Sequence, residues 1–153
     1  MPRLVKGGKY VYGWSKIYPK GKIIIPHEAL EEYGFQTGEN ILLMSGSKTS
    51  GGFSITSSRL LEKSPLYVFL EEMPQIADLR KNEGMAIEHN KRFFSRTKMQ
   101  EGFIAVPSKT LACYGSRPGN SLLSVRGSGL ALSFLIKGPL YELAQKHENI
   151  TVF

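Results

Sequence analysis

Cysteine is almost missing from this chain: Cys113 stands alone among 153 residues. That excludes an internal disulfide and fits a reducing compartment. Histidine is nearly as scarce, with His27, His89 and His147 far apart and at no ligand spacing. With one cysteine to join them, they give no metal-binding pattern. Long apolar runs are absent too, none approaching the ~18 residues that cross a bilayer. Met1-Pro2-Arg3-Leu4-Val5-Lys6-Gly7-Gly8 has no apolar core of the kind a signal peptide needs. We therefore expect a cytoplasmic protein that does not engage membranes.

Catalytic groupings are also missing. Glu31-Glu32 and Glu71-Glu72 are adjacent pairs on expected helices, where neighbouring side chains point apart. Gly46-Ser47-Lys48-Thr49 lacks the glycine spacing of a phosphate loop and reads as a hairpin turn. Cys113, beside Tyr114, reads as an apolar residue of a short helix. We expect no enzyme, no cofactor and no metal.

What the chain has in quantity is itself, twice. Gly21-Lys22-Ile23-Ile24-Ile25-Pro26 is echoed by Gly102-Phe103-Ile104-Ala105-Val106-Pro107. Leu30, Tyr33, Gly34, Gly38, Leu42, Gly46, Ser47, Phe53 and Ile55 recur at a constant offset as Leu111, Tyr114, Gly115, Gly119, Leu123, Gly127, Ser128, Phe134 and Ile136. Glycine permits the tight turn, the β-branched run suits a half-buried strand, and proline starts a helix. The pattern is a tandem duplication. It divides the chain into a first repeat, residues 1–81, and a second, residues 84–153, packed as one unit across a short linker.

Within each repeat the order of elements can be read. Leu4 to Lys16 predicts a hairpin turning at Gly7-Gly8, and its counterpart turns at His89-Asn90. His27 to Tyr33 predicts a short helix stopped by Gly34. Ile41–Met44 and Ser121–Val125 predict strands, and Leu130, Leu132, Phe134 and Ile136 alternate as one face of a returning strand. Pro65 and Pro139 open terminal helices, the first running over Leu66 to Lys81. That long helix could serve dimerisation or line a small-molecule pocket. Tyr10, Tyr12, Trp14 and Tyr18 read better as a packed sheet face than as a base-stacking platform.

Charge supplies the functional clue. Lys and Arg number 20 against 13 Asp and Glu, a net +7. The excess is clustered, with Lys16, Lys20 and Lys22 ahead of the first core motif and Lys91, Arg92, Arg96 and Lys98 ahead of the second. Cations at equivalent places in both copies point to a polyanionic partner.

The ordered set of basic strand, Gly-cation-Ile-x-Ile-Pro, short helix and spaced glycines resembles the AbrB/MazE/SpoVT family of swapped-hairpin DNA-binding domains. The match covers Lys16 to Ile55 and, more loosely, Lys98 to Ile136. The resemblance implies a mainly β fold with short α-helices, a swapped-hairpin barrel made by two repeats of one chain as a pseudo-dimer. It also implies a transcriptional regulator binding double-stranded DNA, with self-association into a homodimer or higher oligomer left open. The DNA-contacting cations it carries over are Lys16, Lys22 and Lys98, with Lys20 and Arg96 beside them. Phe103 departs from the pattern where a cation is expected, as do Leu30, Glu31, Leu111 and Ala112 where members often carry arginine. The alternative is a non-enzymatic small-molecule or protein-binding module on the same scaffold.

Overall fold

Gly21 and Gly102 bend the chain at φ +75° and +83°, a backbone region that favours residues without Cβ. The computed structural model that shows this describes residues 10–63 and 83–153. Each glycine ends a turn after a long strand, β1 (Val11–Lys16) or β6 (Arg92–Lys98), and opens a three-residue strand, β2 (Lys22–Ile24) or β7 (Phe103–Ala105). Helix α1 (His27–Tyr33) follows Pro26 and ends at Gly34, whose φ is +65°. Helix α3 (Ser108–Cys113) follows Pro107 in the same way.

Then come the hairpin strands β3 (Asn40–Ser45) and β4 (Phe53–Ser57), and in the second copy β8 (Ser121–Arg126) and β9 (Leu132–Leu135). The glycine-rich segment between β3 and β4 is a hairpin turn, with the Gly46 amide donating to the Gly52 carbonyl at 3.0 Å. The remaining described elements are α2 (Ser58–Leu61), β5 (Ile87–His89) and α4 (Pro139–Gln145). Helix α2 was not expected. It occupies the extra residues of the first copy, and the Ser57 hydroxyl caps it by accepting from the Leu60 amide at 3.1 Å. The turn between β5 and β6 falls on Asn90 and Lys91, one residue later than the sequence suggested, with φ +51° and +64°. Positive φ at both central residues is the type I′ geometry that suits a hairpin's twist. The expected hairpin strand before Gly7, the Pro65 helix entry and the helix over 66–81 lie outside the described residues.

Seven strands form one antiparallel sheet in the order β1-β8-β9-β4-β3-β6-β5, and β2 and β7 form a separate two-stranded ribbon. The pairings cross between the copies. First-copy β1 lies on second-copy β8, with Lys16 opposite Ser121; second-copy β6 lies on first-copy β3, with Lys98 opposite Asn40. In the ribbon Ile23 faces Ile104, and in the sheet centre Phe53 faces Phe134. Both pairs join residues that hold the same place in the two copies.

The expected closed barrel is not formed, because the sheet ends at β1 and β5. The two glycine turns direct the short strands β2 and β7 out of the sheet and onto each other. On the outer side of β1 the chain's last residues take an edge position. Trp14 donates to the Thr151 carbonyl at 2.8 Å, and Phe153 donates to the Trp14 carbonyl at 2.7 Å. This covers backbone groups that an open edge would leave free to recruit another strand.

The main core lies under the ribbon and helices α1 and α3. Ile17, Ile23, Tyr33, Ile41, Phe53, Ile55, Ile104, Leu111, Leu122 and Phe134 are almost wholly buried there. A smaller cluster of Val11, Leu123, Val125, Leu135 and Ala144 packs beneath α4. Tyr12 is buried, and Trp14 packs edge-on against Tyr141 with ring centroids 5.1 Å apart. These two aromatics therefore serve packing, as their alternation in a strand suggested.

Candidate nucleic-acid interface

The β2–β7 ribbon has two unlike faces because side chains alternate along a strand. Ile23 and Ile104 point inward and are fully buried, whereas Lys22, Ile24, Phe103 and Ala105 form an outer face that is exposed or half-exposed. The ribbon is held by a reciprocal pair of backbone bonds. The Ile25 amide donates to the Gly102 carbonyl and the Val106 amide to the Gly21 carbonyl, both at 3.0 Å. The residue before each proline thus reaches the glycine of the other copy.

Cations collect at the ribbon's ends. Lys16 closes β1 and is exposed, its ammonium 5.7 Å from the centre of the Tyr18 ring. Lys20 stands in the Pro19–Gly21 turn at φ +66°, also exposed. Lys22 begins β2, and its ammonium lies 4.5 Å over the ring of Phe103 on the paired strand. Lys98 closes β6 and is exposed. Lys16, Lys20 and Lys22 adjoin the end of the ribbon where Lys22 faces Ala105; Lys98 leads into the end where Phe103 faces Ile24. Three residues of strand span roughly 10 Å of backbone between those two ends. None of these four lysines makes an ion pair among the described residues.

Arg96 behaves differently. It sits opposite Leu42 in the middle of β6, with its side chain 17% exposed. Its guanidinium donates to Asn40 Oδ1 at 2.8 Å and lies 3.6 Å from the Glu83 carboxylate. The arginine braces β6 to β3 and to the incoming chain, so the geometry separates it from the four lysines.

An open groove of about 410 Å³ runs beside the ribbon's outer face, lined by Lys22, Ile24, Leu30, Glu101, Phe103 and Phe153 among others. No family model, curated protein or solved structure matches the chain.

Two participants were not picked out as such in the sequence. Phe103, noted only as a departure, is the shelf under Lys22, and the signal was its place diagonal to Lys22 across an antiparallel pair. Glu101, exposed in the second turn, stands where the first copy has Lys20 when both are counted back from glycine. Away from the ribbon, Glu32 on α1 accepts from the Tyr12 hydroxyl and from Arg126, tying β1, α1 and β8 together. Burial and the bond to Glu32 push the Tyr12 phenol well above its ordinary pKa, and burial pushes Tyr33 up to about 12. Among the described residues no cluster of His, Cys, Asp or Glu could hold a metal ion, and no helix is long and apolar enough to cross a membrane.

Proposed function

We propose that the protein is a DNA-binding regulator of the swapped-hairpin type, in which the two repeats of one chain stand in for two subunits. The crossed pairings β1–β8, β6–β3 and β2–β7 support the pseudo-dimer reading. The observation that carries the function is the set of four exposed lysines grouped at the two ends of one cross-paired ribbon. A two-stranded ribbon fits the major groove of B-form DNA, and the four lysines, Lys22 among them, can meet the phosphates that flank it. Helix α1 supplies Glu28, Glu31 and Glu32 instead of arginine, so phosphate contacts through the lysines dominate.

A titration of duplex DNA at two salt concentrations tests this reading. Four neutralised phosphates set a log–log salt slope of about −4. Lys22→Ala and Lys98→Ala each reduce that slope by about one unit and leave thermal unfolding unchanged. No binding at low salt, or binding indifferent to both substitutions, overturns the proposal. One observation favours a second reading as a ligand-binding module. It is an open pocket of about 410 Å³ between Glu83–Ala86 and helix α3, lined mainly by apolar atoms. A small molecule that protects the protein from unfolding while DNA does not would select it.

A further inference from the structure

Resting on the DNA-binding reading, we infer that the protein takes a directional duplex site without two-fold symmetry. Its Lys16–Lys20–Lys22 end lies over one half, and its Lys98–Glu101–Phe103 end over the other. The backbone of the ribbon treats the two copies alike. Ile23 pairs with its counterpart Ile104, and the Ile25-to-Gly102 and Val106-to-Gly21 hydrogen bonds are equal in length. The side chains break that symmetry.

The first end presents Lys16 and Lys20, and Lys22 starts there with its ammonium carried over the Phe103 ring. The second presents one cation, Lys98, together with the exposed carboxylate of Glu101 and the ring of Phe103. Phosphates attract the first end strongly and meet no net charge at the second. Phe103 has a further effect. Two lysines at positions 22 and 103 would face each other diagonally across the ribbon and repel. With phenylalanine there, the Lys22 ammonium rests 4.5 Å over the ring, fixing one cation near the centre of the ribbon.

Chemistry at the second half-site follows from what remains. An apolar ring in the major groove suits a thymine methyl, and a carboxylate accepts from the cytosine amino group. The first half-site is then recognised mainly through phosphates and a lysine-compatible guanine. The turns differ in length as well. One residue more separates Lys16 from Gly21 than Lys98 from Gly102, and it places Lys20 at φ +66°. The two ends therefore stand differently toward the duplex even where their charges agree.

Selection from a pool of random duplexes at low salt, followed by phosphate-ethylation interference, tests the inference. The wild-type protein is expected to yield a consensus without palindromic symmetry and interference concentrated on one half. Glu101→Lys with Phe103→Lys gives the second end the charges of the first. It should steepen the log–log salt slope by about two units and spread interference evenly over both halves. Glu101→Lys alone, at an exposed turn outside the ribbon, should give about one unit and guards against misfolding of the double variant. A palindromic wild-type consensus with equal interference overturns the directional site while leaving DNA binding intact. So does tighter binding by the variants with an unaltered interference pattern. Absence of any duplex binding by the wild type at low salt overturns both.

Discussion

The turn from Lys16 to Lys22 and the turn from Lys98 to Phe103 deliver equivalent strands to the same ribbon, yet they are built under different constraints. A Cβ on Gly21 would lie 1.8 Å from the Val106 carbonyl oxygen, whereas a Cβ on Gly102 would meet nothing within 4 Å. Both glycines have positive φ. The first is needed for space and conformation, the second for conformation alone. The longer, cation-bearing turn is thus pressed against the other copy at its glycine, whereas the shorter one is open at its glycine and holds the other copy through buried Met99, which bonds to Gly38 and Glu39. One backbone plan thus carries different room at its two glycines and different charge in its two turns.

The sharpest way to break this comparison is a pair of alanine substitutions. Gly21→Ala combines left-handed strain of about 1–2 kcal/mol with overpacking of about 1–3 kcal/mol. Gly102→Ala carries only the strain. Thermal unfolding should show a clear gap, at roughly 2–4 °C per kcal/mol for a chain of this size. Equal shifts for the two variants would mean that the ribbon relaxes freely around Gly21, and the asymmetry of packing would be lost.

A second contrast lies beneath α1 and α3. The first copy places Tyr12 against Glu32, with Arg126 on the far side of the carboxylate; the matching positions hold Phe94, Cys113 and Ser45. The polar bridge is therefore confined to one side of the fold. Tyr12→Phe should cost about 1.5–3 kcal/mol near neutral pH, since it removes a bond to a charged group. It should also alter behaviour in alkali. Tyr12, Tyr33 and Tyr114 are buried, and burial raises all three phenols above their ordinary pKa of 10.0. Unfolded tyrosine ionises near pH 10 while these stay neutral in the folded state, so their contribution is complete below about pH 10 and declines above it. Each lowers stability by about 1.4 kcal/mol per pH unit until its folded pKa is reached, which for Tyr33 is about 12. Denaturant titrations between pH 9 and 11 should show this slope reduced by about a third in Tyr12→Phe. An unchanged slope would mean that Tyr12 ionises as it does in the unfolded chain.

Much of this architecture was legible because the chain repeats a strong local grammar. Helix α1 begins after Pro26 and ends at Gly34, as the proline and glycine required. The alternation of Leu132 and Phe134 marked the buried face of β9. What escaped were features decided by long-range geometry. The open edge of the sheet depends on where β2 and β7 go after their glycines, which local pattern does not specify. The engagement of Arg96 by Asn40 and Glu83 depends on the crossing of β6 onto β3, which its cationic character alone does not reveal. Helix α2 is one turn long and depends on a single cap at Ser57, too short a signal to read in advance.

The smallest expected effect concerns the hairpin turn of the second copy. Asn90 and Lys91 both adopt positive φ, +51° and +64°, in the turn that joins β5 to β6. Asparagine tolerates that region through its short polar side chain, but lysine has a Cβ that crowds the following carbonyl. Lys91→Gly creates the Asn-Gly pair that suits a type I′ turn best. Relief of about 1–2 kcal/mol of strain is offset by the greater freedom glycine has in the unfolded chain, roughly 0.5–1 kcal/mol. The net gain should be about 0.5–1 kcal/mol, read as a rise in the denaturant midpoint with no change in its slope. Lys91 lies at the far end of β6 from Lys98, so the salt dependence of DNA binding should stay as it is. A loss of stability would show that Lys91 makes a favourable contact outweighing its backbone strain.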